Sequence, residues 1–305
     1  MRIVVMGTGG IGGFCGAKLA AKGADVLFIA RGGHLNAMQS SGLKLLSVLG
    51  DVTVDRVTAT DNPAGRAPAD IVLFTVKGPD TDAAINLIAA TVGPETGIIC
   101  FQNGVEGVDK LAARFGKRAV LPGATNTTAI LESPGTICHV GKSNSFTFGE
   151  WNGEVSKRAV SYRDLAQVAG VNTQISSNAL LDIWTKYVAA AGAMSVTCLA
   201  RLPVRACMDT PETRELAVEA MEEIISLAKA RSIEVPRDTI DRVLSFGATL
   251  DPTWKTSMLN DLEAGKVIEA ESIFGAAHRM GREVGVPTPV LSVAYRALKH
   301  YTRSP

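Results

Sequence analysis

The chain has 305 residues, 46% hydrophobic and 20% charged, with a formal net charge of +1 at pH 7. Such a composition is that of a globular protein, and the length suits two domains. The near-zero charge provides no broad basic field for nucleic acid or an anionic membrane. No apolar run reaches the roughly 20 residues that a spanning helix needs, and none near the start is long enough for a secretion signal.

In chain order, Arg2–Met6 reads as a buried strand, followed by a glycine-rich turn over 7–13 and a helix from Phe14 to Lys22. Gly23 suits the helix end, and Ala24–Ala30 is a second strand, which completes a βαβ unit. Asp70–Val76 and Gly97–Phe101 are apolar strands. They alternate with helices over 81–91 and 105–115 and lead to a short strand at 119–121. Repeated β-α-β points to a doubly wound, mainly parallel sheet. The Thr- and Gly-rich stretch 127–150 reads as antiparallel strands that finish this sheet. Helical patterns then cover 156–169, 178–200, 212–231, 237–247, 255–264, 269–285 and 289–301, with a strand at 171–175. The expected organisation is an α/β Rossmann domain over 1–177 and an all-α domain over 178–305.

Gly7, Gly9 and Gly12 fit G-x-G-x-x-G, with a strand before and a helix after. The first glycine permits the tight turn, the second lets backbone approach a pyrophosphate, and the third lets helix and strand pack closely. The second strand ends in Ala30-Arg31, where an NAD site would carry an acid for the ribose 2′-hydroxyl. An arginine there can hold the 2′-phosphate of NADP, so NADPH is the expected cofactor. A kinase loop is excluded, because neither D-F-G nor H-R-D-L-x-x-x-N occurs. Five cysteines without a C-x-x-C read as reduced thiols in a cytoplasmic protein, and four scattered histidines give no metal site.

Several further motifs resemble the ketopantoate reductase (2-dehydropantoate 2-reductase) family nearly end to end. They are G-T-G-G-I-G at 7–12, V-K at 76–77, Q-N-G-V at 102–105, I-W-T-K at 183–186, S-M-L-N-D-L at 257–262, I-E-A-E-S-I-F-G at 268–275 and V-G-V-P-T-P at 284–289. The resemblance implies a Rossmann domain, a helical C-terminal domain and a site in the cleft between them. The implied reaction is NADPH-dependent reduction of a 2-keto acid, by default ketopantoate to pantoate in pantothenate biosynthesis, with Lys186 as general acid. It further implies cofactor contacts at Gly7, Thr8, Gly9, Gly10, Ile11, Gly12, Arg31, Lys77, Asn103, Ala129 and Glu269. On the substrate side it implies Asn103, Ser257 and Asp261.

The chain departs from the family pattern one and two helical turns after Lys186. Ala190 and Met194 stand where the family has asparagines, and a third family asparagine falls at Val204. The two positions share a helical stripe with Lys186. A pocket without those amides loses its means of fixing a substrate hydroxyl. Two substrates therefore stay open, ketopantoate and a more apolar 2-keto acid. A non-catalytic NADP-binding protein is the alternative from another class. The partner expected is a small-molecule 2-keto acid, with neither nucleic acid nor membrane. The apolar C-terminal helices are compatible with a homodimer.

Overall fold

The fold is that of a computed structural model, described here over residues 1–303. It divides into two compact units: Met1–Gln102 with Gly107–Asp182, and Asn103–Glu106 with Ile183 onward.

The first unit starts with β1 (Arg2–Met6), α1 (Gly10–Ala21), β2 (Asp25–Ile29) and α2 (Gly32–Ser41). The strands β3 (Leu43–Ser47), β4 (Val52–Val54), β5 (Thr58–Thr60) and β6 (Ile71–Phe74) follow, then α3 (Thr81–Ile88), β7 (Gly97–Cys100) and α4 (Glu106–Phe115). The rest comprises β8 (Val120–Thr125), β9 (Ala129–Ser133), β10 (Thr136–His139), β11 (Phe146–Phe148), α5 (Lys157–Val168) and β12 (Thr173–Ile175).

The main sheet has the order β12-β11-β8-β7-β6-β1-β2-β5. From β8 to β5 every pairing is parallel, and β11 runs antiparallel to β8. Four-residue runs such as Ile-Val-Leu-Phe in β6 are buried on both faces, as a covered parallel sheet requires. The strand order reverses between β1 and β6, and the carboxyl ends of those strands are where such folds bind ligands. Phe14, Phe28, Leu73, Leu121, Phe146 and Phe148 are among the side chains of the buried core.

The expectation for 127–150 needs a correction. Only β11 joins the main sheet, whereas β9 and β10 pair with β3 and β4 in a second, four-stranded sheet of order β4-β3-β10-β9. Its β10 runs parallel to β3, some 90 residues apart along the chain, a pairing that local patterning cannot encode. This small sheet packs over α1. The helix is thus covered on two sides, and Gly12 through Leu19 are all buried. A Cβ at Gly13 would lie 2.5 Å from Ile137 of the small sheet, and one at Gly16 would lie 2.3 Å from Phe28 of the main sheet. Small residues in α1 are therefore a packing requirement. They also explain why the helix opens at Gly10 and not at Phe14, since packing overrides the low helix propensity of glycine.

The second unit is helical. It takes α6 (Ala179–Ala200) from Ile183 onward, then α7 (Val204–Asp209), α8 (Pro211–Ala230), α9 (Thr239–Gly247) and α10 (Ser257–Glu263). A π-helical turn, Glu271–Gly275, leads into α11 (Ala276–Val284), and α12 (Pro289–Leu298) follows. Helix α7 had no counterpart in the sequence pattern, being only six residues long. Gly192 of α6 meets Met221 of α8, where a Cβ would come within 2.6 Å of its side chain. The buried carboxylate of Glu223 on α8 accepts the Val290 and Leu291 amides (2.7 and 3.0 Å) and so caps α12, whose first residue is proline. Among the described residues no helix is long and apolar enough to cross a membrane.

Candidate active site

The glycine turn joins β1 to α1 at the strand reversal. Gly7 has φ +92°, a left-handed conformation that glycine adopts without strain. Its carbonyl accepts from Thr75 Oγ1 at 2.8 Å, so the turn is tied to the end of β6. No side chain caps the N-terminus of α1, and no acid stands in its first turn. The helix start therefore offers main-chain N–H groups and a positive dipole end, the combination that receives a phosphate. A Cβ on Gly9 would meet nothing within 4 Å, so the backbone there is open to close approach. On Gly10 it would lie 1.8 Å from the Ala129 carbonyl oxygen, so β9 rests directly on the turn. The residues present thus fit a dinucleotide pyrophosphate.

Arg31 follows β2 and is the N-cap residue of α2. Its Nη2 donates to both carboxylate oxygens of Asp80 at 3.0 Å, while its side chain remains 80% exposed. An acid from the turn after β6 thus pairs with the arginine at the end of β2. Lys77 opens that turn and is exposed. Sequence reasoning passed over Asp80, because nothing local connects residues 49 positions apart.

In the helical unit, Asn103 Nδ2 donates to Glu269 Oε2 at 3.3 Å. The short segment that carries Asn103 is held again three residues on, where Arg279 of α11 donates to Glu106 at 2.7 Å. Arg279 also bonds Glu271, which Tyr295 and Lys299 contact as well. The hydrogen bonds of this cluster outweigh burial and hold the Glu271 carboxyl below its ordinary range. Tyr187 is fully buried and donates to the Ile273 carbonyl at 2.5 Å inside the π turn. Π turns are often found at functional sites, and this one lies two residues past Glu269.

Lys186 is half-buried on α6. Ala190 and Met194 continue its face one and two turns on, with Met194 only 7% exposed. Thr197, a third turn along, meets Thr256 oxygen to oxygen at 3.0 Å. Thr256 in turn caps α10 by accepting the Leu259 amide, which leaves Ser257 as the first residue of the helix and Asp261 one turn later. The Thr197–Thr256 contact therefore brings the start of α10 to the face of α6 that carries Lys186. Sequence reasoning missed both threonines, because a buried threonine has no periodic signature. Val204 is 3% exposed, and its amide donates to the Trp254 carbonyl at 3.1 Å.

Comparison with known proteins gives a consistent picture. The family model described as ketopantoate reductase PanE/ApbA matches residues 3–153, and its C-terminal counterpart matches 178–302. An uncharacterized oxidoreductase, YkpB of Bacillus subtilis, is 29% identical over 99% of both chains. The crystal structure of 2-dehydropantoate 2-reductase from Methylococcus capsulatus superposes with a TM-score of 0.88 at 29% identity, covering 100% of this chain and 99% of that one. A D-mandelate dehydrogenase, solved with NADH and anilino(oxo)acetate, has the same fold. It covers 99% of this chain and 98% of its own, with a TM-score of 0.86 at 20% identity.

Proposed function

Because the chain belongs to the ketopantoate reductase family, we propose that it is an NADPH-dependent reductase of 2-keto acids in which Lys186 is the general acid. The family supports an oxidoreductase acting on a 2-keto acid and its hydroxy product. Cofactor choice, substrate and residue roles are our reading.

NADPH, when bound, supplies the hydride. The chain's own groups do the rest. Main-chain N–H groups at Gly9–Gly12 hold the pyrophosphate, and Arg31 takes the 2′-phosphate in exchange for Asp80. As the carbonyl is reduced, negative charge develops on its oxygen. The Lys186 ammonium stabilises that charge and donates the proton. Asn103, oriented by Glu269, contacts cofactor and substrate, and Ser257 with Asp261 supplies the polar groups of α10.

The observation that most shapes the substrate assignment is the apolar stripe beyond Lys186. A substrate hydroxyl placed against Ala190 and Met194 finds no partner such as amides would give, and an unpaired buried hydroxyl costs about 1–3 kcal/mol. This favours a 2-keto acid with a more apolar side chain over 2-dehydropantoate. The test is loss of reduced-nicotinamide absorbance with 2-dehydropantoate and a series of apolar 2-keto acids, each run beside Lys186→Ala. Turnover that disappears in the variant supports the reading. Turnover that survives it removes Lys186 as the acid, and binding of NADPH without turnover of any 2-keto acid removes the reductase assignment.

A further inference from the structure

His34 is the third residue of α2, and both of its ring nitrogens are engaged. Nε2 lies 2.7 Å from the Thr8 carbonyl oxygen. The Gly135 amide, in the turn between β9 and β10, donates to Nδ1 at 2.9 Å. A carbonyl can only accept and an amide N–H can only donate, so the ring is neutral with its proton on Nε2. Burial pushes the imidazole pKa down, against the smaller opposing effect of the Thr8 bond. Thr8 itself is 2% exposed and is fixed from the other side, since its amide and hydroxyl both donate to the Ile29 carbonyl.

We infer that His34 is a positioning residue that aims the phosphate-binding turn by locking the Thr8–Gly9 peptide plane. The inference rests on the dinucleotide reading of that turn. A trans peptide is planar, so its carbonyl and its N–H point in opposite directions. Holding the Thr8 carbonyl on the imidazole therefore sets the direction of the Gly9 N–H, at the residue whose Cβ position opens on empty space. Through Gly135 the same ring ties α2 to the β9–β10 hairpin, whose other end rests on Gly10 at Ala129. The small sheet and α2 thus hold the turn at successive residues. A preset N–H loses less freedom when phosphate arrives, which is the ordinary benefit of preorganisation.

Two near-isosteres separate the two bonds. Glutamine at this position reaches the Thr8 carbonyl with its amide N–H, and asparagine reaches only the Gly135 amide. The experiment is direct titration of NADPH and NADH, followed by reduced-nicotinamide fluorescence, with unsubstituted protein, His34→Ala, His34→Gln and His34→Asn. Losing one hydrogen bond to a preorganised group predicts about tenfold weaker binding of both cofactors to His34→Ala and His34→Asn. His34→Gln is expected to stay within about threefold of the unsubstituted protein. The rise belongs in the cofactor KM, with kcat at saturation unchanged. Unchanged affinity in His34→Ala would overturn the inference, as would rescue by asparagine and not by glutamine. An effect confined to NADPH would also overturn it, since that would assign the contact to the 2′-phosphate. If the unsubstituted protein binds neither cofactor, the dinucleotide reading falls, and this inference with it.

Discussion

The two units approach chemistry differently. In the first, the candidate pyrophosphate groups are main-chain N–H groups, with the Arg31 and Lys77 side chains beside them, and the shape that exposes those N–H groups depends on glycines pressed against other backbone, as at Gly10 beneath the Ala129 carbonyl. In the second, the candidate groups are side chains on α6, on α10 and beside the π turn. A side chain on a helix face, such as Ala190 or Met194, can be exchanged without rebuilding the backbone. On the proposed reading, the cofactor thus falls to groups set by the fold and the substrate to side chains that can change without altering it.

The largest expected effect is on chemistry alone. Lys186→Ala should lower kcat by about 10²–10⁴, the range for loss of a positioned general acid, and leave the melting temperature and cofactor affinity within error. A comparable loss of both would show Lys186 to be structural.

Gly10→Ala should do the reverse. Its Cβ has no room beside the Ala129 carbonyl, and overpacking of this kind costs about 1–3 kcal/mol or more. Thermal denaturation should show that loss, and dinucleotide titration should show weakened binding. A stable variant with normal affinity would mean that β9 yields easily.

Glu150 probes the frame of the first unit. Its carboxylate is 6% exposed and accepts two bonds from Arg158 (2.8 and 2.7 Å) and one from Ser156 at 2.6 Å. Burial raises its pKa, but these bonds and the Arg158 and Arg118 charges outweigh burial, so the carboxyl sits below its ordinary value of 4.5. A pKa lower in the folded than in the unfolded state adds stability above the ordinary value, and that stability fades as pH falls through the folded one. Glu150→Gln should therefore cost about 1–3 kcal/mol in denaturant unfolding at pH 7. The difference should shrink below about pH 4.5. A pH-independent difference would contradict the ion-pair account.

The smallest effect concerns Asp80. On the proposed reading a 2′-phosphate displaces it from Arg31, and an exposed ion pair is worth about 0–1 kcal/mol. Asp80→Asn should tighten NADPH by no more than about fivefold and leave NADH unchanged. Weaker NADPH binding would instead show that Asp80 holds Arg31 in position.

Sequence reasoning reached the parts of this molecule that are locally periodic or locally punctuated. The β1 strand, the glycine turn, the apolar β6 and β7 and the long helices all carry such signals. It placed β9 and β10 in the wrong sheet because the pair is joined to its sheet through β3, far back in the chain. It stopped short of Asp80, His34, Thr197 and Thr256 for a related reason. Each has its meaning only through a residue brought close by folding. In the helical unit the polar positions were legible through family resemblance, since a lysine or a serine on an amphipathic helix says little by itself.

The central claim is that the stripe beyond Lys186 selects the substrate while the glycine turn is left untouched. The most direct measurement is the ratio of kcat/KM for 2-dehydropantoate to that for the best apolar 2-keto acid, in the unsubstituted protein and in the Ala190→Asn, Met194→Asn double variant. Restoring amides should raise the ratio about tenfold or more, since one well-placed hydrogen bond to a substrate hydroxyl is worth about that much, and should leave cofactor affinity unchanged. An unchanged ratio in a folded, active double variant would contradict the claim.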